Sequence, residues 1–160
     1  MSETKTPLLV IRVRGLAGIR QDIEDNMKML HLVRLYHAVL IPQTPSFIGM
    51  IRKSKDYITW GEPTLETLEA LLSKRGRLVG NKRLTEEYLK ENTEFKSISD
   101  LAKALYDGKI RPDEVPGLKP VFRLRPPKKG FRGKKMRAYK NGGITGYRGD
   151  AINELAQRMI

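Results

Sequence analysis

Cationic side chains, aromatic rings and glycines alternate through residues 123–148. The basic residues of this segment, which contains no acidic residue, are Arg123, Arg125, Lys128, Lys129, Arg132, Lys134, Lys135, Arg137, Lys140 and Arg148. Three aromatic residues, Phe131, Tyr139 and Tyr147, lie among these cations. Guanidinium and ammonium groups bind phosphate oxygens, and aromatic rings stack on unpaired bases or ribose. The pattern therefore predicts a segment that binds the backbone and the unstacked bases of a nucleic acid.

The sequence lacks the residue patterns of catalysis and of metal binding. It contains no Cys, which excludes thiolate metal sites, disulfides and cysteine nucleophiles. Its two histidines, His31 and His37, are not accompanied by the carboxylates of a metal site, and it has no glycine-rich nucleotide loop or serine-nucleophile signature. We therefore predict a protein without catalytic activity, cofactor or metal ion. A remote alternative is a small acyl-phosphate hydrolase, for which Arg20 and Asn26 are the only polar candidates.

The composition of the whole chain favours a polyanionic partner. Its 160 residues include 31 Lys and Arg against 18 Asp and Glu, which gives a net charge of +13 at pH 7. Such a charge favours nucleic acid or an anionic membrane surface over a small neutral ligand. No apolar stretch approaches the roughly 18 residues that a membrane span requires, so we expect a soluble, cytoplasmic protein.

Apolar periodicity divides the first 61 residues into five elements. Strands are predicted at residues 8–13, 36–41 and 57–60, and helices are predicted after Gly18 and after Thr44. The order βαβαβ predicts an α+β core at residues 1–61, in which two helices pack on a small sheet. Residues 62–122 predict a helical extension that covers this core, with helices near residues 63–76, 85–89 and 98–106.

Glycine and proline interrupt the basic segment. They occur at Pro126, Pro127, Gly130, Gly133, Gly142, Gly143 and Gly146. These residues argue against a long helix and against a regular central strand, so residues 123–148 are predicted to form a basic arm. A solvated, disordered linker is the alternative. Residues 149–160 predict a terminal amphipathic helix, and we expect its apolar stripe, which includes Ile152 and Leu155, to dock on the core.

Several residue groups resemble the universal large-subunit ribosomal protein thirty family, which eukaryotes number seven. In the core the resemblance rests on residues 32–39, on Thr44 and Pro45, on Gly49, Met50 and Ile51 with Lys53, and on residues 58–60. In the carboxyl-terminal part it rests on residues 126–131, 142–143, 146–149 and 158–160, which are similar to the archaeal and eukaryotic branch. Together these groups cover most of the chain.

The resemblance implies a fold, a function and a set of RNA contacts. The fold is a βαβαβ core with a three-stranded antiparallel sheet of ferredoxin-like appearance, and the function is that of a non-catalytic constituent of the large ribosomal subunit. The implied partners are large-subunit ribosomal RNA, with 5S RNA nearby, and neighbouring ribosomal proteins. Core contacts are assigned to Arg34, Gly49, Met50, Arg52 and Lys53, with the glycine at a helix start that phosphates approach closely. The alternative is a ribosome-independent RNA- or DNA-binding regulator built on the same core.

Overall fold

The chain folds as helices packed on a β-sheet, which confirms the predicted α+β class. The computed structural model describes residues 6–15, 17–131 and 133–160, except for the side chains of Lys135 and Met136. The strands are β1 (Leu8–Arg12), β2 (His37–Ile41), β3 (Ile58–Gly61), β4 (Val121–Arg123), β5 (Lys134–Ala138) and β6 (Gly143–Tyr147). The helices are α1 (Gln21–Met29), α2 (Pro45–Lys53), α3 (Leu65–Arg75), α4 (Glu86–Asn92), α5 (Ile98–Tyr106) and α6 (Ala151–Met159). Short 3₁₀ turns occur at Pro112–Glu114 and Tyr139–Asn141.

The first five elements follow the predicted order βαβαβ. Local signals explain their limits, as at the start of α2, where the hydroxyl of Thr44 accepts a hydrogen bond from the amide of Phe47 at 3.3 Å. Pro45 occupies the first helical position, where its missing N–H costs no intrahelical bond. The same type of cap begins α5, where the Ser97 hydroxyl accepts from the Asp100 amide at 3.2 Å.

The sheet has six strands in the order β4-β2-β1-β3-β6-β5 and is mixed. Strand β1 is antiparallel to both β2 and β3, so the expected antiparallel trio is present within the larger sheet. Strand β4 adds to β2 in antiparallel orientation, whereas β6 runs parallel to β3 and to β5. The prediction of a sheet with only three strands was therefore wrong, because both sides of the trio are extended by strands from the carboxyl-terminal part of the chain.

Strand β6 lies inside the sheet, which corrects the prediction that the basic segment contains no regular central strand. Its residues Ile144 and Thr145 are buried. Gly143 packs against the backbone of Arg137 so closely that a Cβ atom would overlap the carbonyl group. The glycine thus permits close approach between β5 and β6 instead of preventing regular structure.

The two faces of the sheet are covered by different helices. Leu9 and Ile11 of β1 point to a large core that also contains residues of α3, α5 and α6. Val10 points to a smaller core that it shares with Met27 of α1 and Ile51 of α2. Successive side chains alternate between the faces, as the pleat of a strand requires. The sheet is therefore the middle of three layers.

Helix α6 docks on the larger core, as predicted. Its residues Ile152, Leu155 and Met159 are buried in one cluster with Leu68 of α3. The chain before β5 closes the end of α6, since the Arg125 amide donates to the Met159 carbonyl and the Lys128 amide donates to the Arg158 carbonyl, both at 3.0 Å. These bonds satisfy carbonyls that a helix end leaves without partners. In the described part of the chain, no helix has the length and apolarity needed to cross a membrane.

Candidate nucleic-acid interface

The cations of the basic segment are divided between the two edges of the sheet. Strand β4, which carries Arg123, forms one edge, and strand β5, which carries Lys134 and Arg137, forms the other. Neighbouring strands are about 4.8 Å apart, so the edges of six strands are separated by about 24 Å. The chain from β4 to β5 passes across the end of α6. The segment therefore places cations at both edges of the sheet.

A groove at the β4 edge gathers cationic and imidazole groups from distant parts of the chain. Its volume is about 280 Å³, and its lining includes His31, Val33, His37, Arg77, Lys119 and Arg123. Strand register sets Arg123 opposite His37. The amide of Lys119 donates to the carbonyl of Arg77 at 2.9 Å, which fixes these two residues side by side. We call this surface the β4-edge groove.

The electrostatics of the β4-edge groove suit a phosphate group. Burial lowers the pKa of His37, and the positive charges of Arg123, Arg34 and Arg12 lower it further. His37 Nδ1 is buried and, among the described residues, has no hydrogen-bond partner. The groove therefore combines a neutral imidazole with surrounding cations, and an anion that enters it gains favourable contacts with those cations.

Arg12 holds the loop at residues 31–36, which borders this groove, through hydrogen bonds from its side chain to the loop backbone. Its side chain is almost completely buried, with 1% of the residue exposed. The guanidinium donates to the carbonyls of Leu32 at 2.8 Å and Val33 at 3.1 Å, and also to those of Arg14 and Gly15. Burial lowers the pKa of Arg12. Sequence reasoning missed this role, although an arginine within an apolar strand is a signal of it.

The opposite edge presents a second basic surface, which we call the β5-edge surface. It consists of Lys134, Arg137 and Lys140, all of which are exposed. Across the parts of the chain described here, none of these side chains has a carboxylate within ion-pair distance. Arg132 and the side chain of Lys135, two other predicted contacts, lie outside the described residues.

Between the edges, residues 125–130 are attached to the end of α6. Arg125 Nη2 donates to the carbonyl of Ile160 at 3.0 Å. Arg158 Nη1 in turn donates to the carbonyl of Gly130 at 2.7 Å. Lys128 and Lys129 are exposed, and Lys129 has a left-handed φ of 64°. Part of the hydrogen-bonding capacity of Arg125 is therefore used within the protein.

The three aromatic residues of the basic segment all have partners within the protein. Phe131 stacks on Tyr36 with ring centroids 6.2 Å apart and packs on the larger core. Tyr139 lies under the guanidinium of Arg148 at 4.7 Å, and 42% of the tyrosine is exposed. Tyr147 faces Trp60 and is 54% exposed. The two tyrosines thus combine protein contacts with accessible surface.

Arg148 is positioned as a structural residue. Its Nε donates to the Thr59 hydroxyl and its Nη2 donates to the Ile144 carbonyl, both at 2.7 Å. Burial lowers the pKa of this guanidinium. The side chain therefore joins β3 to β6.

The predicted core contacts lie on α2 and in the loop before β2. Gly49 is the fifth residue of α2, so the expectation that it lies at the helix start was wrong. Only the first four amides of a helix lack intrahelical partners, and the amide of Gly49 is therefore not free to bind a phosphate. The Met50 carbonyl accepts from Asn26 Nδ2 at 2.8 Å. Lys53 approaches Asp22 at 4.0 Å, and Arg52, like Arg34 in the loop, is exposed.

The groups considered for a hydrolase have other roles. The Asn26 amide is buried between α1 and α2, where it also donates to the Ser54 hydroxyl at 2.7 Å. Arg20 is exposed and pairs with Asp22 at 3.0 Å. The described residues contain no group of His, Asp and Glu side chains that could hold a metal ion.

Comparisons with known proteins give a consistent family. A family model described as ribosomal protein L30p/L7e matches residues 8–58. A protein of Methanosphaera stadtmanae is 51% identical over 94% of this chain and 98% of its own length. One of Thermoplasma volcanium is 52% identical over 96% and 92%, and one of Methanopyrus kandleri is 49% identical over 92% and 100%. Each of the three relatives is named large ribosomal subunit protein uL30.

Proposed function

The chain belongs to the ribosomal protein L30p/L7e family, and from that premise we propose that it binds ribosomal RNA through the two basic edges of its sheet. It is a structural, non-catalytic constituent of the large ribosomal subunit. Ribosomal RNA and neighbouring ribosomal proteins are accordingly its partners. The proposal concerns which surfaces hold the RNA.

The observation that carries the proposal is the presence, at both edges of the sheet, of cations that form no ion pair with any carboxylate of the described residues. At the β4 edge these cations are Arg34, Lys119 and Arg123. At the β5 edge they are Lys134, Arg137 and Lys140. Lysine and arginine side chains that lack protein partners are available for phosphate oxygens, and their binding to RNA releases counterions. Two RNA segments held about 24 Å apart would explain both surfaces.

The mechanism is electrostatic and steric. Contacts to phosphate and sugar fix the position and orientation of a protein on nucleic acid without reading the sequence. The six-stranded sheet supplies a rigid spacer between the two surfaces, because β4 and β5 belong to the same hydrogen-bonded sheet. Cations at its edges reduce the repulsion between the RNA segments that approach them.

Neutralisation of each surface tests the proposal. One variant replaces Arg34, Lys119 and Arg123 with Gln, and another replaces Lys134, Arg137 and Lys140 with Gln. The matched control replaces Lys90, Lys96 and Lys103, three exposed lysines on or near α4 and α5. Binding to large-subunit RNA is measured as a function of salt. Each edge variant should bind more weakly, with a salt slope about two to three units shallower.

The control decides between a specific and a general charge effect. It changes the net charge by the same amount as the edge variants, so a non-specific attraction would weaken equally in all three proteins. An edge variant that binds RNA with the affinity and salt slope of the control would remove that edge from the proposal.

A finer placement within the subunit is also proposed, namely a position close to 5S RNA. It is supported by the resemblance to the archaeal and eukaryotic branch of the family. Crosslinking from a photoreactive group attached at position 140, followed by identification of the crosslinked RNA, tests it. Crosslinks confined to RNA distant from 5S RNA would contradict the placement.

A further inference from the structure

The connection between α3 and α4 is a short hairpin with a fixed backbone. The amide of Leu78 donates to the carbonyl of Lys82 at 2.7 Å, and the amide of Leu84 donates to the carbonyl of Gly76 at 3.2 Å. The first strand of the hairpin is also hydrogen-bonded on its other side, to residues 117–119. Side chains that project from this hairpin are therefore held in place before any ligand binds.

The hairpin sets two arginines directly opposite each other. Arg77 and Arg83 pair in antiparallel orientation, and the two hydrogen bonds within the hairpin lie on either side of this pair. In a pair of this kind, the Cα atoms are about 4.5 Å apart and the side chains are closer than in a hydrogen-bonded pair. Like charges at directly opposite positions are destabilising. The pair of arginines therefore lowers the stability of the free protein.

Two further guanidinium groups lie near this pair. Arg75 is the last residue of α3, and its Nε is buried without a hydrogen-bond partner among the described residues. Burial lowers the pKa of Arg75, and the positive charges of Arg125, Arg77 and Arg83 lower it further. None of the four arginines forms an ion pair with an acidic side chain in the part of the chain that the structure describes. Their mutual repulsion is therefore not balanced by an acidic side chain.

We propose that Arg75, Arg77, Arg83 and Arg125 together bind phosphate groups of ribosomal RNA, an inference that rests on the proposed RNA binding. We call these four residues the arginine cluster. Guanidinium groups bind phosphate oxygens through charge-assisted hydrogen bonds, which are often paired. A phosphate among the four side chains replaces repulsion with attraction and supplies hydrogen-bond acceptors.

The surroundings of the arginine cluster favour RNA over an acidic segment of a protein. Arg77 also lines the β4-edge groove, so the cluster continues a surface that already carries cations. Residues 70–85 include five cations and no acidic residue. A nucleic-acid backbone carries a charge at every nucleotide and can neutralise such a row of cations with release of counterions. A protein segment presents carboxylates only where its sequence contains them.

Removal of one charge from the cluster should have opposite effects on stability and on RNA binding. Arg83→Gln removes an exposed member of the opposed pair. At low ionic strength, the midpoint temperature of the free protein should rise by about 1–2 °C because the repulsion is relieved. Affinity for large-subunit RNA should fall roughly threefold to tenfold, with a salt slope shallower by about one unit. Lys90→Gln, which removes an exposed lysine of α4, is the matched control and should leave both properties close to those of the wild type.

Inorganic pyrophosphate tests the arginine cluster without RNA. At constant ionic strength and about ten times its dissociation constant, it should raise the midpoint temperature of the wild-type protein by about 3–6 °C. The double variant Arg75→Gln/Arg83→Gln should lose most of this rise. The double variant Lys90→Gln/Lys96→Gln carries the same change of net charge and should keep it.

The outcomes separate the arginine cluster from other uses of its charges. A lower midpoint temperature in Arg83→Gln, or RNA binding equal to that of the Lys90→Gln control, would overturn the proposal. A pyrophosphate effect that depends on the cluster, combined with unchanged RNA binding in the double variant, would assign the cluster to a free anion and overturn the assignment to RNA. Stronger stabilisation by a glutamate hexapeptide than by a uridine hexanucleotide would assign it to an acidic protein segment, with the same consequence.

The two edge variants keep all four arginines. Their binding to large-subunit RNA therefore shows independently whether the proposed function holds, and the pyrophosphate response can be measured on the same proteins.

Discussion

Replacement of Arg12 by methionine should destabilise the protein and disturb the β4-edge groove. Methionine retains an unbranched side chain of similar reach but removes every hydrogen-bond donor. The change leaves the carbonyls of Leu32, Val33, Arg14 and Gly15 without their present partner. Val33 lines the groove and Leu32 precedes it in the same loop, so both stability and RNA binding are expected to respond.

The expected loss in free energy of unfolding is about 3 kcal/mol. The bond to Leu32 is buried, and loss of a charge-assisted bond to a buried carbonyl costs about 1.5–3 kcal/mol. The other three carbonyls are partly accessible, so water can replace the guanidinium at a cost of about 0.5 kcal/mol each. Methionine also removes the desolvation penalty of the buried guanidinium charge, which offsets part of this loss of stability. For a chain of this size, the midpoint temperature should fall by roughly 6–12 °C.

Chemical and thermal denaturation measure the effect, with Arg20→Met as the matched control. The Arg20 side chain is 76% exposed, and a surface change of this kind alters stability by at most about 0.5 kcal/mol. A variant Arg12→Met with wild-type stability would refute the structural role of the buried guanidinium. Loss of stability with unaltered RNA binding would instead show that the loop at residues 31–36 does not contribute to the interface.

Two further predictions concern a glycine and a histidine. Gly143→Ala should lower the free energy of unfolding by about 1–3 kcal/mol, because the new Cβ would overlap the Arg137 carbonyl. Gly49→Ala should raise the free energy of unfolding by about 0.5–1 kcal/mol, because the new Cβ meets no neighbouring atom. Urea denaturation measures both changes, and equal effects of the two substitutions would contradict the packing argument. The stability contributed by neutral His37 should be complete above pH 6.5 and should fall as the pH drops from there through its lowered folded pKa. Denaturation between pH 7 and 5 should show a smaller decline in His37→Asn, and an identical decline in both proteins would exclude His37 as its source.

The helices and the first three strands were predictable because their signals are local. Apolar residues at helical spacing and the Thr44 and Ser97 caps determine where elements begin, and each acts within a few residues. The place of β6 in the sheet depends on contacts with β3, far away in the sequence, and leaves no comparable local signal. Gly143 was misinterpreted for the same reason, since its close neighbour is visible only in three dimensions.

The candidate site, like the fold, was predictable from the sequence only in part. The sequence identified the basic residues, because charge is a property of composition, but it treated them as one surface. Only the strand order shows that Arg123 and Lys134 lie at opposite edges. The β4-edge groove also joins His37 to Arg77 and Lys119, and nothing in their spacing predicts that they meet.

The late position of β6 in the chain has a consequence during synthesis. The Thr59 hydroxyl donates to the carbonyl of Gly146, a residue 87 positions later. At translation rates of about 5–20 residues per second, Gly146 is synthesised about 4–17 s after Thr59. During this interval the nascent chain has an unpaired edge on β3 and lacks α6, one of the helices that cover the larger core. Exposed strand edges and apolar faces promote association between incomplete chains. A ribosome that stalls before the last residues would therefore release an aggregation-prone product, even though most of the sheet had already been made.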